Sequence, residues 1–273
     1  MGTGKIIFVT AFKGGVGKTT VTAGMACALS ALGKRVCILD GDFGMRCMDL
    51  VLGMEDNALY DCYDVLSGAA RPEDAILPVG GLVGLWFLPA PIAYRGQPLS
   101  RENAEGLFKY LRSRFDYCLI DSSAELSPYY RMFADASDEA IVVSLHQSTA
   151  IRAAEKTAAN LAQFGFREIR LVVNCYHDEE AEKGRLPNLE EMIYRSSVPL
   201  LGVVLYSPEM VMDQEANRLP FTGRDRDRLR TYEAAFLNIA CRILGAGVPL
   251  GQNVGWPGKK MKEMRRANSL LFS

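Results

Sequence analysis

The chain has no Cys-x-x-Cys pair, only two histidines, almost no net charge and no long apolar run, and each lack removes a class of function. Its seven cysteines, Cys27, Cys37, Cys47, Cys62, Cys118, Cys175 and Cys241, are odd in number and widely spaced, so neither a disulfide framework nor a paired-thiolate metal site has a basis. With His146 and His177 the only imidazoles, zinc lacks its usual ligand sets, and the cysteines read as core thiols of a reducing cytosol. Lys and Arg (31) nearly balance Asp and Glu (32), so any pull toward DNA or a membrane must come from a local patch. No apolar stretch approaches the ~18 residues of a membrane-crossing helix, and no signal-peptide pattern precedes the first strand. The expectation is a cytosolic or peripheral protein. Hydrophobic residues still make up 49% of the 273, enough for a sizeable core in one large domain.

Short β-rich runs recur with helical segments between them: Lys5–Thr10, Arg35–Asp40, Leu85–Leu88, Tyr117–Asp121, Ala140–Leu145, Ile169–Asn174 and Leu201–Leu205. Such alternation predicts an α/β fold, a mostly parallel sheet with helices on both faces. Ligands then bind at the carboxyl ends of strands, where Thr10, Asp40, Asp121 and Asn174 all stand. The domain is predicted over 1–244, with a Gly/Pro-rich linker over 245–258 and a basic tail over 259–273.

Directly after the first strand comes Lys13-Gly14-Gly15-Val16-Gly17-Lys18-Thr19-Thr20, a phosphate-binding loop with an extra lysine near its start. Glycines let successive backbone N–H groups turn inward onto phosphate oxygens at a helix start, where the helix dipole also favours negative charge. Lys18 supplies a point charge for the β- and γ-phosphates, and Thr19 a hydroxyl for Mg²⁺. Phe12 occupies the first glycine position of the strict motif. The run Val36–Leu39 ends in Asp40-Gly41-Asp42, two carboxylates spaced to serve the magnesium shell and the attacking water. Tyr117–Ile120 ends in Asp121, which suits water-mediated Mg²⁺ holding; helix capping is the competing reading of a strand-end aspartate.

These motifs, with Gly44-Met45-Arg46, Met48-Asp49-Leu50, Tyr60-Asp61, Leu88-Pro89-Ala90 and Asp121-Ser122 in order, resemble the MinD/ParA family of deviant phosphate-loop ATPases. Gly44-x-Arg46 with Asp49-Leu50 favours the MinD branch. The resemblance covers nearly the whole chain and implies a single three-layer P-loop NTPase domain that binds ATP and Mg²⁺ and hydrolyses ATP slowly, under partner stimulation. It implies that Lys13 reaches across an ATP-sandwiched homodimer, Lys18 and Thr19 serve their own subunit, Asp42 orients the attacking water, and Asp40 and Asp121 support magnesium. Asn174 reads adenine by the same resemblance, or is a turn residue; Pro208 joins Gly14, Gly15, Val16, Gly17 and Thr20 in the nucleotide-binding set. Two departures stand out: Cys47 where the family has Asn, and Ser123-Ala124-Glu125 after Asp121-Ser122 where the family has Pro-Ala-Gly.

The tail carries Lys259, Lys260, Lys262, Arg265 and Arg266 against Glu263, and helical spacing would gather Met261, Met264, Leu271 and Phe272 on one side. It reads as a reversible anchor on an anionic membrane surface, with a solvated end or a DNA-binding tail as alternatives. The resemblance further implies a cytoplasmic protein peripheral on the inner face of the bacterial membrane, controlling division-site placement with a MinC-like inhibitor and a MinE-like or other activator. A ParA-like DNA-partition ATPase, a flagellar-number regulator and a non-hydrolysing scaffold are the alternatives.

Overall fold

The computed structural model describes residues 4–55, 57–93, 95, 99–222 and 229–250. Strand β1 (Lys5–Thr10) leads through the glycine loop into α1 (Lys18–Ala31), which returns to β2 (Val36–Gly41). Short helices α2 (Met48–Leu52), α3 (Cys62–Ser67) and α4 (Pro72–Ala75) lead to β3 (Leu77–Pro78) and β4 (Leu85–Leu88). Then α5 (Arg101–Arg114), β5 (Tyr117–Ser122), α6 (Pro128–Asp135), β6 (Glu139–Leu145), α7 (Ser148–Gln163) and β7 (Ile169–Tyr176) alternate. Helices α8 (Asp178–Glu182) and α9 (Leu189–Ser196), strand β8 (Leu200–Leu205), and helices α10 (Pro208–Glu215) and α11 (Thr231–Ile243) complete the described chain.

The eight strands lie in the order β3-β4-β2-β5-β1-β6-β7-β8. Every pairing is parallel except β3 with β4. Because helices cover both faces, the strands are apolar on both sides: Ile6 and Phe8 join one core layer, Ile7 and Val9 the other. The first layer lies under α3, α5, α6, α7 and α9, the second under α1, α10 and α11. Close approach of α1 to α11 depends on Gly24, where a Cβ would come within 2.4 Å of the Phe236 ring.

The seven strands read from the sequence are all present with ends within two residues; β3 was not anticipated, being two residues long with Pro78 and so without a readable period. After α11 the chain packs on the body: Arg242 donates to the carbonyls of Leu201, Val248 and Pro249, and Leu250 is buried. The rest of the expected linker over 245–258 and the tail 259–273 lie outside the described residues. Cys27, Cys37, Cys62 and Cys118 are core thiols, whereas Cys47, Cys175 and Cys241 are only half-buried, since they stand at element ends or on a helix flank. Among the described residues, no helix is long and apolar enough to cross a membrane.

Candidate functional site

Three neighbouring strands, β2, β5 and β1, bring their carboxyl ends to the start of α1. Gly15 (φ 75°) and Gly17 (φ 81°) take left-handed backbone, which glycine alone enters without strain. A Cβ built at Gly14 or Gly15 meets nothing within 4 Å, so the loop encloses open space on its outer side. No acidic residue stands in the first turn of α1, so its exposed N–H groups keep their attraction for an anion.

Asp121 organises the inner side. Its Oδ1 lies 3.3 Å from Lys18 Nζ and accepts from Thr22 Oγ1 at 3.2 Å, and its Oδ2 accepts from Thr19 Oγ1 at 2.7 Å. Lys18 is 9% and Asp121 1% exposed, so the pair attracts in a medium that screens poorly. Burial raises the Asp121 pKa, and Lys18 with the two hydroxyls opposes that rise. Asp40 is the direct register partner of Asp121 across β2 and β5. Burial, followed by the Asp121 charge, holds its pKa well above the ordinary carboxylate range. Asp40 Oδ1 accepts from the Asp42 N–H at 3.0 Å, while Oδ2 is buried without a protein partner among the described residues.

These features fit Mg²⁺ with a nucleotide phosphate. Mg²⁺ takes one or two protein ligands and completes its shell from phosphate and water. Thr19 beside Asp121 meets the first need, and the unpaired oxygen of Asp40 is a ready acceptor for an ordered water. Asn174, 2% exposed, lies beneath the loop: its Nδ2 donates to the Val16 carbonyl at 2.9 Å and its Oδ1 has no partner among the described residues. That oxygen can accept from a ligand amino group. Pro208 stands exposed in the first turn of α10, whose Gln214 donates to Thr20 Oγ1 at 3.1 Å.

Three expected residues are engaged elsewhere. Lys13 Nζ donates to Thr149 Oγ1 at 2.9 Å, at the start of α7 of its own chain. Asp42 is half-buried, and its Oδ1 accepts from the N–H groups of Gly44 and Met45, each at 3.2 Å, so the carboxylate closes its own turn. Thr10, expected to face the nucleotide from its strand end, is buried with its hydroxyl 2.9 Å from Tyr130 Oη. Reasoning from the sequence missed Thr22, Tyr130, Thr149 and Gln214. Thr22 was findable, since it stands one helical turn beyond Lys18 and Thr19 on the same face; the others depend on sheet order, which leaves no local mark. A concavity of about 980 Å³ between α5 and α6, lined by Leu99, Phe108, Arg112 and Met132, contains none of these groups.

Residues 7–221 match the family described as the CobQ/CobB/MinD/ParA nucleotide binding domain. The septum site-determining protein MinD of Thermotoga maritima is 32% identical over 249 residues, covering 90% of each chain. Among solved structures, the MinC:MinD cell division protein complex of Aquifex aeolicus aligns with a TM-score of 0.81 at 27% identity, over 90% of this chain and 98% of the other. MinD from Pyrococcus horikoshii, complexed with Mg-ADP, aligns at 0.72 and 26% identity, over 88% and 95%.

Proposed function

The chain belongs to the MinD/ParA family of nucleotide-binding domains, and from that premise we propose that it is an ATP-driven switch coupling dimerisation to membrane attachment. It is a MinD-type cell-division ATPase that takes ATP and Mg²⁺. The observation that carries the reading is the convergence of Lys18, Thr19, Asp121 and the unpaired Asp40 oxygen beside an open glycine cradle.

Lys18 holds phosphate oxygens, and Asp121, 3.3 Å from its Nζ, aims the ammonium. Thr19, held by Asp121, presents its hydroxyl oxygen to the cation. Bound with ATP, Mg²⁺ supplies charge neutralisation at the β- and γ-phosphates. Asp42 turns from capping its own loop to orienting a water, and Lys13 leaves Thr149 to meet phosphates bound by a second subunit. Asn174 Oδ1 accepts from the adenine amino group, with Pro208 alongside.

ATP then joins two chains, and each brings its 259–273 segment to an anionic surface. Each basic residue contributes about 1 kcal/mol at such a surface, so one segment binds marginally. Two segments on one dimer gain ~10² to 10⁴ in avidity. Hydrolysis returns the monomer and releases it. A MinC-like inhibitor is the partner suggested by the MinC:MinD assembly; a MinE-like activator, slow basal turnover and a location on the inner face of the membrane complete the proposal. The DNA-partition and flagellar alternatives are not favoured.

Co-sedimentation with anionic liposomes tests it. ATP, but not ADP, is expected to pellet the full chain, and both Lys13→Ala and a chain ending at Gly258 are expected to stay in the supernatant. No pelleting in any condition rejects the membrane step; pelleting of the shortened chain places the attachment elsewhere.

A further inference from the structure

We propose that α6 couples the segment after Asp121 to the turn that carries Asp42, with the Phe43–Tyr129 contact positioning Asp42 for hydrolysis; this rests on the ATPase reading above. The turn that carries Asp42 is tied by polar contacts to its chain neighbours, Asp42 N–H donating to Asp40 Oδ1 at 3.0 Å and Arg46 Nε to Asp49 Oδ2 at 2.6 Å. Arg46 N–H donates to the Asp42 carbonyl at 3.0 Å, Asp42 Oδ1 closes the turn from within, and Met45 is 73% exposed. Phe43 is the apolar side chain of this turn that packs against the core. Its ring lies 4.8 Å from that of Tyr129 and 5.9 Å from that of Phe133, the latter edge to face. Both partners stand on α6. Phe133 also closes on β2, where a Cβ at Gly41 would meet its ring at 3.0 Å.

The same short helix reaches the phosphate loop from its other side. Tyr130 stacks edge to face on Phe8 at 4.9 Å, tilts against Phe12 at 5.9 Å and pairs its hydroxyl with Thr10. Helix α6 therefore touches the base of the phosphate loop through Tyr130 and the Asp42 turn through Tyr129 and Phe133. It begins just beyond Ser123–Glu125, a segment braced by its own hydroxyls: Ser122 Oγ donates to the Ser123 carbonyl at 2.9 Å and Ser123 Oγ to that of Glu125 at 2.8 Å. Ser127 then caps the helix by accepting from the Tyr130 N–H at 3.1 Å. A shift of the segment after Asp121 on nucleotide binding is carried by α6 as a packed body, and Phe43 transmits it to the turn that aims Asp42. Phe43 and Tyr129 act through Asp42 and touch no substrate, so they are positioning residues.

The test compares ATP turnover, KM and fluorescent-ADP affinity for the full chain and for Phe43→Ala, Tyr129→Ala, the double variant and Tyr129→Phe. Tyr129→Ala is expected to lose about tenfold in kcat, the scale of one lost aromatic contact, and Phe43→Ala, which also loses the Phe133 contact, at least as much, with ADP affinity within about twofold of wild type in both. The double variant is expected to match Phe43→Ala, and Tyr129→Phe, which keeps the ring, to match wild type. Full kcat in a folded alanine variant overturns the coupling. So do multiplicative losses in the double variant, or ADP affinity falling in step with kcat. If the alanine variants fail to fold, Phe43→Leu and Tyr129→Leu are judged by the same criteria. A wild-type chain without turnover counts against the ATPase reading instead. Hydrogen exchange over 42–46 then decides the coupling: an ATP analogue is expected to protect the turn in wild type and not in Tyr129→Leu, and equal protection in both overturns it.

Discussion

Replacing Gly17 by alanine perturbs the loop at one backbone position whose surroundings are fully specified. The residue sits at φ 81° and ψ 31°, in the left-handed region, so a Cβ costs about 1–2 kcal/mol before any contact is counted. That Cβ would also lie 2.2 Å from Asn174 Nδ2, well inside any tolerable contact. Asn174 cannot step aside freely, because it is 2% exposed and its Nδ2 holds the Val16 carbonyl. Moving it leaves a buried donor unsatisfied, about 1–3 kcal/mol more, for a total near 2–5 kcal/mol. Urea unfolding of the nucleotide-free chain should show that loss at unchanged m-value. In an Asn174→Ala background the clash is gone, so the same substitution should cost only the backbone part, about 1–2 kcal/mol. An equal cost in the two backgrounds, or a total under about 1 kcal/mol, would refute the claim that Asn174 props the loop.

Gly14→Ala makes the opposite case, since its Cβ meets nothing within 4 Å: stability should stay within about 0.5 kcal/mol while ATP affinity falls, as read by fluorescent-nucleotide titration. Asp121→Ala removes the partner of the buried Lys18 ammonium and should destabilise the chain by about 3–5 kcal/mol in the same urea assay. His146 is held neutral by burial, which lowers its pKa, and the geometry agrees: Nε2 accepts from the His177 N–H at 3.1 Å and Nδ1 faces the Pro187 carbonyl at 3.4 Å. The unfolded chain takes up that proton below its ordinary pKa of about 6.5, so stability is full above that pH and falls as pH drops, by at most about 1.4 kcal/mol per unit. Melting curves between neutral and mildly acidic pH should show a shallower decline for His146→Gln, whose His177 and Tyr176 neighbours are unchanged; parallel declines would assign the slope elsewhere.

The sequence alone determined the local chemistry. The glycine loop between an apolar strand and an alanine-rich helix, the aspartates closing β2 and β5, and seven of the eight strands were legible because each is a short contiguous pattern with its own period or φ requirement. Strand order was not legible, and much of the site follows from strand order. Asp40 opposes Asp121 only because β2 lies beside β5, although β3, β4 and α5 intervene in the chain. Asn174 reaches the underside of Gly17, Lys13 meets Thr149, and the α6 aromatics clasp both Thr10 and Phe43 for the same reason. Local patterns record what one segment can form by itself. Which segments then touch is decided by burying both faces of the sheet at once, and that decision belongs to the tertiary structure.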